Sequence, residues 1–124
     1  MKYATLAALL VFGLFLGMIS PVRANDIERK FIHAGLVDVS RIDPTIQVDL
    51  VNSDAKKNFF RENFYHGLKT AYLREAVAIK LARAQAHLKS KNQNLSLQIL
   101  DAARPRSVSR KMYEKMRGTP YERE

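Results

Sequence analysis

The chain contains no cysteine among its 124 residues. This absence excludes a lipid-modified cysteine behind a leader peptide, and it fits an exported protein that does not depend on disulfides. No G-x-S-x-G segment is present, so a serine nucleophile of that kind has no candidate position. Glycine-rich phosphate-binding loops are also missing. The short motifs that most directly indicate serine hydrolases and nucleotide-binding proteins are therefore absent.

Histidines are few, and none has a companion at the spacing of a zinc site. The chain has His33, His66 and His87, whereas zinc ligands normally converge from fixed spacings such as two histidines one helical turn apart. His33 lies near the end of a predicted helix, His66 in a predicted loop and His87 on the polar side of a predicted helix. We interpret all three as surface or loop residues rather than as metal ligands.

Acidic residues are also scarce, with 12 against 21 lysines and arginines, which gives a formal charge of +9. Such an excess fits an anionic partner, namely nucleic acid, lipid headgroups or cell-wall polymers. It also fits a solvated basic surface with no particular partner, and we favour this second interpretation. Export, which the amino terminus predicts, argues against nucleic acid.

Residues 1–24 have the pattern of a secretory leader. Lys2 supplies the positive start, an apolar run covers residues 4–19, and Val22-Arg23-Ala24 ends in the small-residue pattern of a cleavage site. The run approaches the length that spans a bilayer, so a membrane anchor is the competing interpretation. Glycines, Ser20 and Pro21 interrupt the run, and we therefore expect cleavage, a mature domain of residues 25–124, and a periplasmic or cell-envelope location without a stable anchor.

Hydrophobic periodicity predicts a small α+β domain, with an α/β layer as the neighbouring possibility, in which helices pack on a small sheet. In chain order the expected elements are a helix over 26–34 with Asp26 as its cap and Gly35 as its stop, an extended segment at 36–39, a turn at Asp43-Pro44, a strand over 45–50, a helix over 75–91, a strand over 95–100 and a helix after Pro105. The apolar stripe of the longest helix is predicted to be Val77, Leu81, Ala84 and Leu88, and that of the last helix Val108, Met112 and Met116.

A long loop separates the first predicted strand from the longest helix. Residues 52–70 lack any period and are rich in aromatics, namely Phe59, Phe60, Phe64 and Tyr65. Loops of this length are uncommon unless they cover a site, so this one is a candidate wall or lid of a pocket. Core packing of the aromatic side chains is the simpler expectation.

The exit of the second predicted strand carries the most informative residues. Asp101 and Arg104 follow the alternating segment, and Pro105 keeps Arg104 extended. A guanidinium at a strand exit presents five rigid donors, which suit a carboxylate or a developing oxyanion. The alternative is a structural ion pair of Arg104 with Asp101 or Asp49.

These residues, in their order, resemble the D-alanyl-D-alanine dipeptidase family of zinc peptidases. The blocks that carry the resemblance are DPTIQVDL at 43–50, KNFF at 57–60, AYLR at 71–74 and above all LDAARP at 100–105. The likeness covers residues 36–115. The family often has tyrosine where this chain has Ala103 and an aromatic residue where it has Asn52, so the resemblance leaves the shape of the pocket open.

The resemblance implies a zinc cofactor, a catalytic Arg104 that stabilises the transition state, and Asp101 as the residue that orients it. In the family two histidines and an aspartate hold the zinc, and a glutamate is the general base. The serine-x-histidine motif with its aspartate belongs just downstream of Tyr121, and the glutamate-x-x-histidine motif comes later. Neither motif is in the sequence. We therefore expect no metal ligand in this chain, and we expect residues 25–124 to be the amino-terminal part of a dipeptidase-like domain, inactive alone.

Three functions are compatible with these features of the sequence. The first is a zinc-dependent dipeptidase that hydrolyses the D-Ala-D-Ala dipeptide and is represented by an incomplete chain. The second is a non-catalytic envelope protein that binds peptide termini or anionic wall polymers. The third is a related D,D-carboxypeptidase that acts on cell-wall peptides.

Overall fold

The computed structural model describes residues 23–122. The predicted leader lies almost entirely outside the described residues. Across residues 23–122, every helix is too short or too polar to cross a bilayer.

Four helices and four short strands make up the described part of the chain. In order they are α1 (Ala24–His33), β1 (Leu36–Asp38), α2 (Val39–Ile42), β2 (Gln47–Val48), β3 (Tyr72–Arg74), α3 (Glu75–Lys91), β4 (Gln98–Ile99) and α4 (Arg106–Met116), with a 3₁₀ turn at Val51–Ser53. The mixed helix-and-sheet class predicted from the sequence is confirmed. The single small sheet that we predicted is replaced by two separate two-stranded sheets.

The two sheets differ in direction. β1 and β3 pair antiparallel, with Val37 opposite Leu73. β2 and β4 pair parallel, with Val48 opposite Ile99. The parallel pairing continues past the strand ends, because the Val51 N–H donates to the Leu100 carbonyl at 3.0 Å. The strands predicted at 45–50 and 95–100 are present as the shorter β2 and β4, and the structure shows that they pair with each other. β3 was not predicted.

The first helix begins earlier than its predicted cap. Asp26 lies inside the first turn, where its carboxylate accepts a hydrogen bond from the Arg23 N–H at 3.1 Å. A negative charge at this position favours the helix because it lies next to unsatisfied backbone N–H groups. Gly35 follows the helix with a φ of +75°, a conformation that glycine adopts without a steric penalty.

The extended segment predicted at 36–39 ends one residue early. The Asp38 carboxylate accepts from the Ser40 N–H at 2.8 Å and caps the short helix α2. Val39 is fully buried as the first residue of that helix. Local capping by an aspartate therefore outweighs the strand preference of the valine.

The bounds of α3 agree with the prediction, but its buried face does not. Ala78 and Gln85 are fully buried, whereas Val77 is 43% exposed. Val77 and Ala84 of the predicted stripe are exposed, whereas Leu81 packs against the core, so the stripe is only partly correct. The buried face of α3 differs from the predicted one because it includes Gln85. The amide of this residue makes hydrogen bonds to backbone and hydroxyl groups at the start of both β2 and β4. A buried amide is tolerated because it is fully hydrogen-bonded.

The core lies between the sheets and helices α1, α3 and α4. Its members include Phe31, Val39, Ile99, and the Val108 and Met112 of the predicted α4 stripe. Met116 of that stripe is half-buried.

Residues 54–71, which we call the aromatic loop, contribute side chains to this core. Described residues 54–71 contain neither helix nor strand, as the sequence predicted. Phe64 and Tyr65 are buried, while Phe59 is 70% exposed. Core packing is confirmed for the two buried rings, and the wall or lid role stays a prediction.

Candidate functional site

Asp101 is the centre of a hydrogen-bond network at the exit of β4. Its Oδ1 accepts from the Tyr65 hydroxyl at 2.8 Å and from the Ala102 N–H at 3.0 Å. Its Oδ2 accepts from the Asn52 amide at 3.1 Å and from the Arg104 guanidinium, with which it forms an ion pair. Both oxygens of the carboxylate are therefore engaged, and its orientation is fixed from several directions. We call Asn52, Tyr65, Asp101 and Arg104 the Asp101 network.

Three separate parts of the chain position this network. Asn52 lies in the 3₁₀ turn that follows β2, Tyr65 in the aromatic loop, and Asp101 just after β4. The Phe64 N–H donates to the Asn52 carbonyl at 2.9 Å, which fixes the loop against the turn. The Ala103 N–H donates to the Tyr72 carbonyl at 3.0 Å. The segment between β4 and α4 is thus attached to β3, and residues 101–105 contain neither helix nor strand.

Tyr65 is the most buried member, with 1% of its surface exposed. Burial raises the pKa of its phenol to about 12, and the hydrogen bond to the Asp101 carboxylate contributes in the same direction, against the opposing effect of the Arg104 guanidinium. The hydroxyl therefore stays protonated near neutral pH and remains a donor to Asp101.

The Arg104 guanidinium contacts the Asp101 carboxylate and is otherwise partly exposed to solvent. The hydrogen bond to Asp101 raises its pKa, so the guanidinium is charged at every physiological pH. Its side chain is 38% exposed. A guanidinium carries five N–H donors, and the part in solvent can reach an anionic group of a ligand.

The structural ion pair that the sequence left open is observed with Asp101 and not with Asp49. Asp49 instead accepts from the Lys57 ammonium at 2.6 Å, on a more exposed part of the surface. This hydrogen bond raises the pKa of Lys57. Contact with Asp101 agrees with both interpretations of Arg104, because an orienting carboxylate and a structural partner occupy the same position.

A cavity of about 310 Å³ lies beside the carboxyl end of β2, with Asp49, Asp54, Lys57 and Lys69 among its lining residues. Neither Asp101 nor Arg104 lines it. Ligands of open sheets with parallel strands bind outside the carboxyl ends of the strands, and both the cavity and the Asp101 network are at that edge. The cavity holds charges of both signs, whereas the guanidinium lies on the open surface next to the strand exit.

The histidines lie apart from the Asp101 network. His33 ends α1, His66 is in the aromatic loop and His87 is on α3, and all three are exposed. Across residues 23–122 no three histidine, aspartate or glutamate side chains converge at the distances of a metal site. The described residues therefore do not fit the zinc that the resemblance implies, and we assign no chemical step to a metal.

Two members of the network, Asn52 and Tyr65, were not predicted from the sequence as site residues. A tyrosine in an aromatic loop that becomes buried needs a partner for its hydroxyl, and a carboxylate at a strand exit is a suitable one. That signal was present in the sequence. Asn52 offered no signal beyond its place after the strand, since an asparagine there is equally common as a turn residue.

Substitution of Tyr65 by Phe is expected to change how stability depends on pH. In the unfolded chain a tyrosine ionises near pH 10, whereas in the folded chain the pKa of Tyr65 is about 12. The unfolded state therefore releases its proton first, and the stabilisation contributed by Tyr65 is complete below pH 10. It is lost by about 1.4 kcal/mol per pH unit as the pH rises from there towards 12.

The measurement is urea unfolding of residues 25–124 and of the variant at a series of alkaline pH values. The stability difference between the wild-type chain and Tyr65→Phe should narrow between pH 10 and about 12. Tyr113→Phe is the matched control, because Tyr113 is 55% exposed. A constant difference for Tyr65→Phe across this range would show that the phenol does not retain its proton on folding.

Comparison with known proteins leaves the family open. No family model, curated protein or solved structure matches the chain.

Proposed function

We propose that this chain supplies the arginine side of the active site of an exported, zinc-dependent D-alanyl-D-alanine dipeptidase, with the metal ligands contributed by polypeptide outside residues 23–122. The observation that carries the proposal is the Asp101 network. It supports the proposal because a carboxylate fixed by Tyr65 and Asn52 holds the guanidinium in one place before any ligand arrives.

Arg104 would act on the substrate by direct contact. Its exposed N–H groups would donate to an oxygen of the D-Ala-D-Ala dipeptide and to the negative charge that develops on the scissile carbonyl. A donor that is already in position loses no free energy to reorganisation when that charge forms, which is the usual origin of such catalysis. Asp101 would then be a positioning residue, since it acts through Arg104.

A binding protein without catalysis is the second candidate. The favouring observation is the openness of the site, because Arg104 is 38% exposed and lies outside the cavity at the β2 edge. An exposed guanidinium can bind the carboxylate of a peptide end, whereas enzymes generally hydrolyse peptides in a site that excludes bulk solvent and admits only the attacking water. In this second candidate the protein binds the same peptide but does not hydrolyse it.

Isothermal titration of the mature chain with D-Ala-D-Ala tests the shared part of both candidates. We expect saturable binding that Arg104→Lys weakens by about 10- to 100-fold, because hydrogen bonds to charged groups contribute about 1.5–3 kcal/mol. Lysine keeps the charge and loses the planar donor pair. Arg106→Lys is the matched control, since Arg106 is exposed two residues away, and it should bind as the wild-type chain does.

Hydrolysis separates the two candidates. Release of free D-alanine is measured for the full-length protein, with and without zinc, and with Arg104→Lys. Zinc-dependent release that the substitution abolishes supports the dipeptidase. Binding without release supports the binding protein, and absence of both would overturn the assignment of Arg104.

A further inference from the structure

A second cavity, of about 190 Å³, lies between α1, the aromatic loop and the start of α4. Its polar lining is Lys30, Asn63, His66, Ser107 and Lys111, and its apolar lining includes Phe64 and Val108. None of the lining residues that the structure describes carries a carboxylate. We call it the Lys30–Lys111 cavity.

Its basic side chains come from three elements that are distant in the sequence. Lys30 is in the last turn of α1, His66 is near the end of the aromatic loop, and Lys111 is on α4. The fold therefore brings the two ammonium groups and an imidazole to one concave surface, and the repulsion between the ammonium groups costs electrostatic free energy unless an anion compensates.

Local contacts hold two of these groups in place. The Lys111 ammonium lies 5.6 Å from the centre of the Phe64 ring and forms an ion pair with Glu62. His66 has a φ of +51°, a left-handed conformation that is strained for a residue with a Cβ. The Asn63 side chain accepts from the Gly67 N–H at 3.1 Å and stabilises this turn.

Glu62 neutralises only part of the positive charge around the Lys30–Lys111 cavity. It is the shared partner of Lys111 and of Lys115, whose ammonium lies 2.8 Å from its second oxygen. One carboxylate thus serves two ammonium groups, and Lys30 makes no ion pair within residues 23–122. The cavity therefore keeps a net positive charge.

We propose that the Lys30–Lys111 cavity binds an oxyanion, a phosphate or carboxylate group carried by a ligand whose apolar part packs against Phe64 and Val108. Two ammonium groups, a ring N–H of His66 and the Ser107 hydroxyl are donors suited to such a group. This site is separate from Arg104 and does not rest on the dipeptidase proposal. It borders the same segment through Pro105.

Titration calorimetry of the mature chain with inorganic phosphate, and separately with acetate, tests the proposal at constant ionic strength. We expect saturable binding that Lys30→Gln weakens by about 3- to 10-fold, the effect of losing one partly exposed charged contact. Lys80→Gln makes the same change on the exposed side of α3, away from the cavity, and should leave binding unchanged. Phosphate binding without acetate binding would identify the group as a phosphate, and binding of both would support a general oxyanion site.

Glu62→Gln is expected to strengthen phosphate binding, whereas Lys30→Gln weakens it. The first substitution removes the negative charge that competes for Lys111, so phosphate should bind a few-fold more tightly. Arg104→Lys should leave the phosphate binding that depends on Lys30 unchanged, which makes failure of this proposal distinguishable from failure of the previous one. Absence of saturable binding to either anion, or equal weakening by Lys30→Gln and Lys80→Gln, would overturn the proposal.

Discussion

Asp101→Ala is expected to lower the free energy of unfolding by about 3 kcal/mol, because it removes the shared acceptor of the network. The Tyr65 hydroxyl is buried and donates to Asp101 at 2.8 Å, and the amide of Asn52, 8% exposed, donates at 3.1 Å. A buried donor left without an acceptor costs about 1–3 kcal/mol. The ion pair with Arg104 adds less, since both side chains are partly in solvent.

Asp49→Ala is the matched control for this experiment. Asp49 also pairs with a cation after a strand of the same sheet, but its pair with Lys57 is 38–46% exposed. Exposed ion pairs contribute about 0.2–1 kcal/mol. Thermal and urea unfolding should therefore separate the two substitutions clearly, and equal effects would show that the Asp101 network adds nothing beyond a surface contact.

A double-mutant cycle tests whether Asp101 acts through Tyr65. If the hydroxyl bond is the main component, Asp101→Ala should cost much less in a Tyr65→Phe background, with an interaction free energy of about 0.5–3 kcal/mol. Asp101→Asn is a milder substitution that tests ligand binding in a folded chain. It keeps one acceptor oxygen and removes the charge, so D-Ala-D-Ala binding through Arg104 should weaken while most of the fold is retained.

Gln85→Leu is expected to destabilise the chain by a similar amount, about 2–4 kcal/mol. The Gln85 side chain is fully buried, and its Nε2 donates to the Thr45 carbonyl at 3.1 Å and to the Ser96 hydroxyl at 2.8 Å. Its Oε1 accepts from the Leu97 N–H at 2.8 Å. Leucine has a comparable volume but leaves the Leu97 N–H without its partner at the start of β4.

The melting temperature reports this loss directly. A domain of this size loses roughly 4–8 °C per kcal/mol, so Gln85→Leu should melt at least about 8 °C below the wild-type chain. Gln93→Leu makes the same chemical change at an exposed turn and should have little effect. A melting temperature that is unchanged by Gln85→Leu would mean that the α3 amide does not connect the two parallel strands.

Gln85 and Asp101 stabilise opposite ends of the same pair of strands. Gln85 fixes the start of β2 and β4, and Asp101 fixes their carboxyl ends. Between them the parallel pair carries only two assigned residues per strand. Side-chain bonds therefore supply much of the order that longer strands would obtain from the backbone, and the position of Arg104 depends on them.

Prediction from sequence worked best where a local signal was strong. The ends of α3 and the Pro44 turn follow from periodicity and from turn chemistry, and the buried face of α4 follows from the spacing of Val108 and Met112. It was weaker for β3, which has three residues and pairs with a strand 36 positions earlier. Short strands are decided by such partners more than by their own composition.

The candidate site also combines residues that are close in sequence, which were predicted, with distant residues, which were not. Arg104 and Asp101 were identified because they stand together in one short motif, and their contact is local. Tyr65 and Asn52 join them from positions 36 and 49 residues away. The Lys30–Lys111 cavity likewise depends on residues from three distant elements, so no short stretch of sequence contains it.

The amino-acid order by itself determined the three longer helices, the turn after Asp43 and the cation at the exit of β4, because each depends on neighbours within a few positions. Only the tertiary structure decided which face of α3 is buried, that Asp49 pairs with Lys57, and that a buried phenol and an amide fix Asp101. The physical reason is that burial and hydrogen-bond satisfaction are settled among groups that meet only when the chain folds.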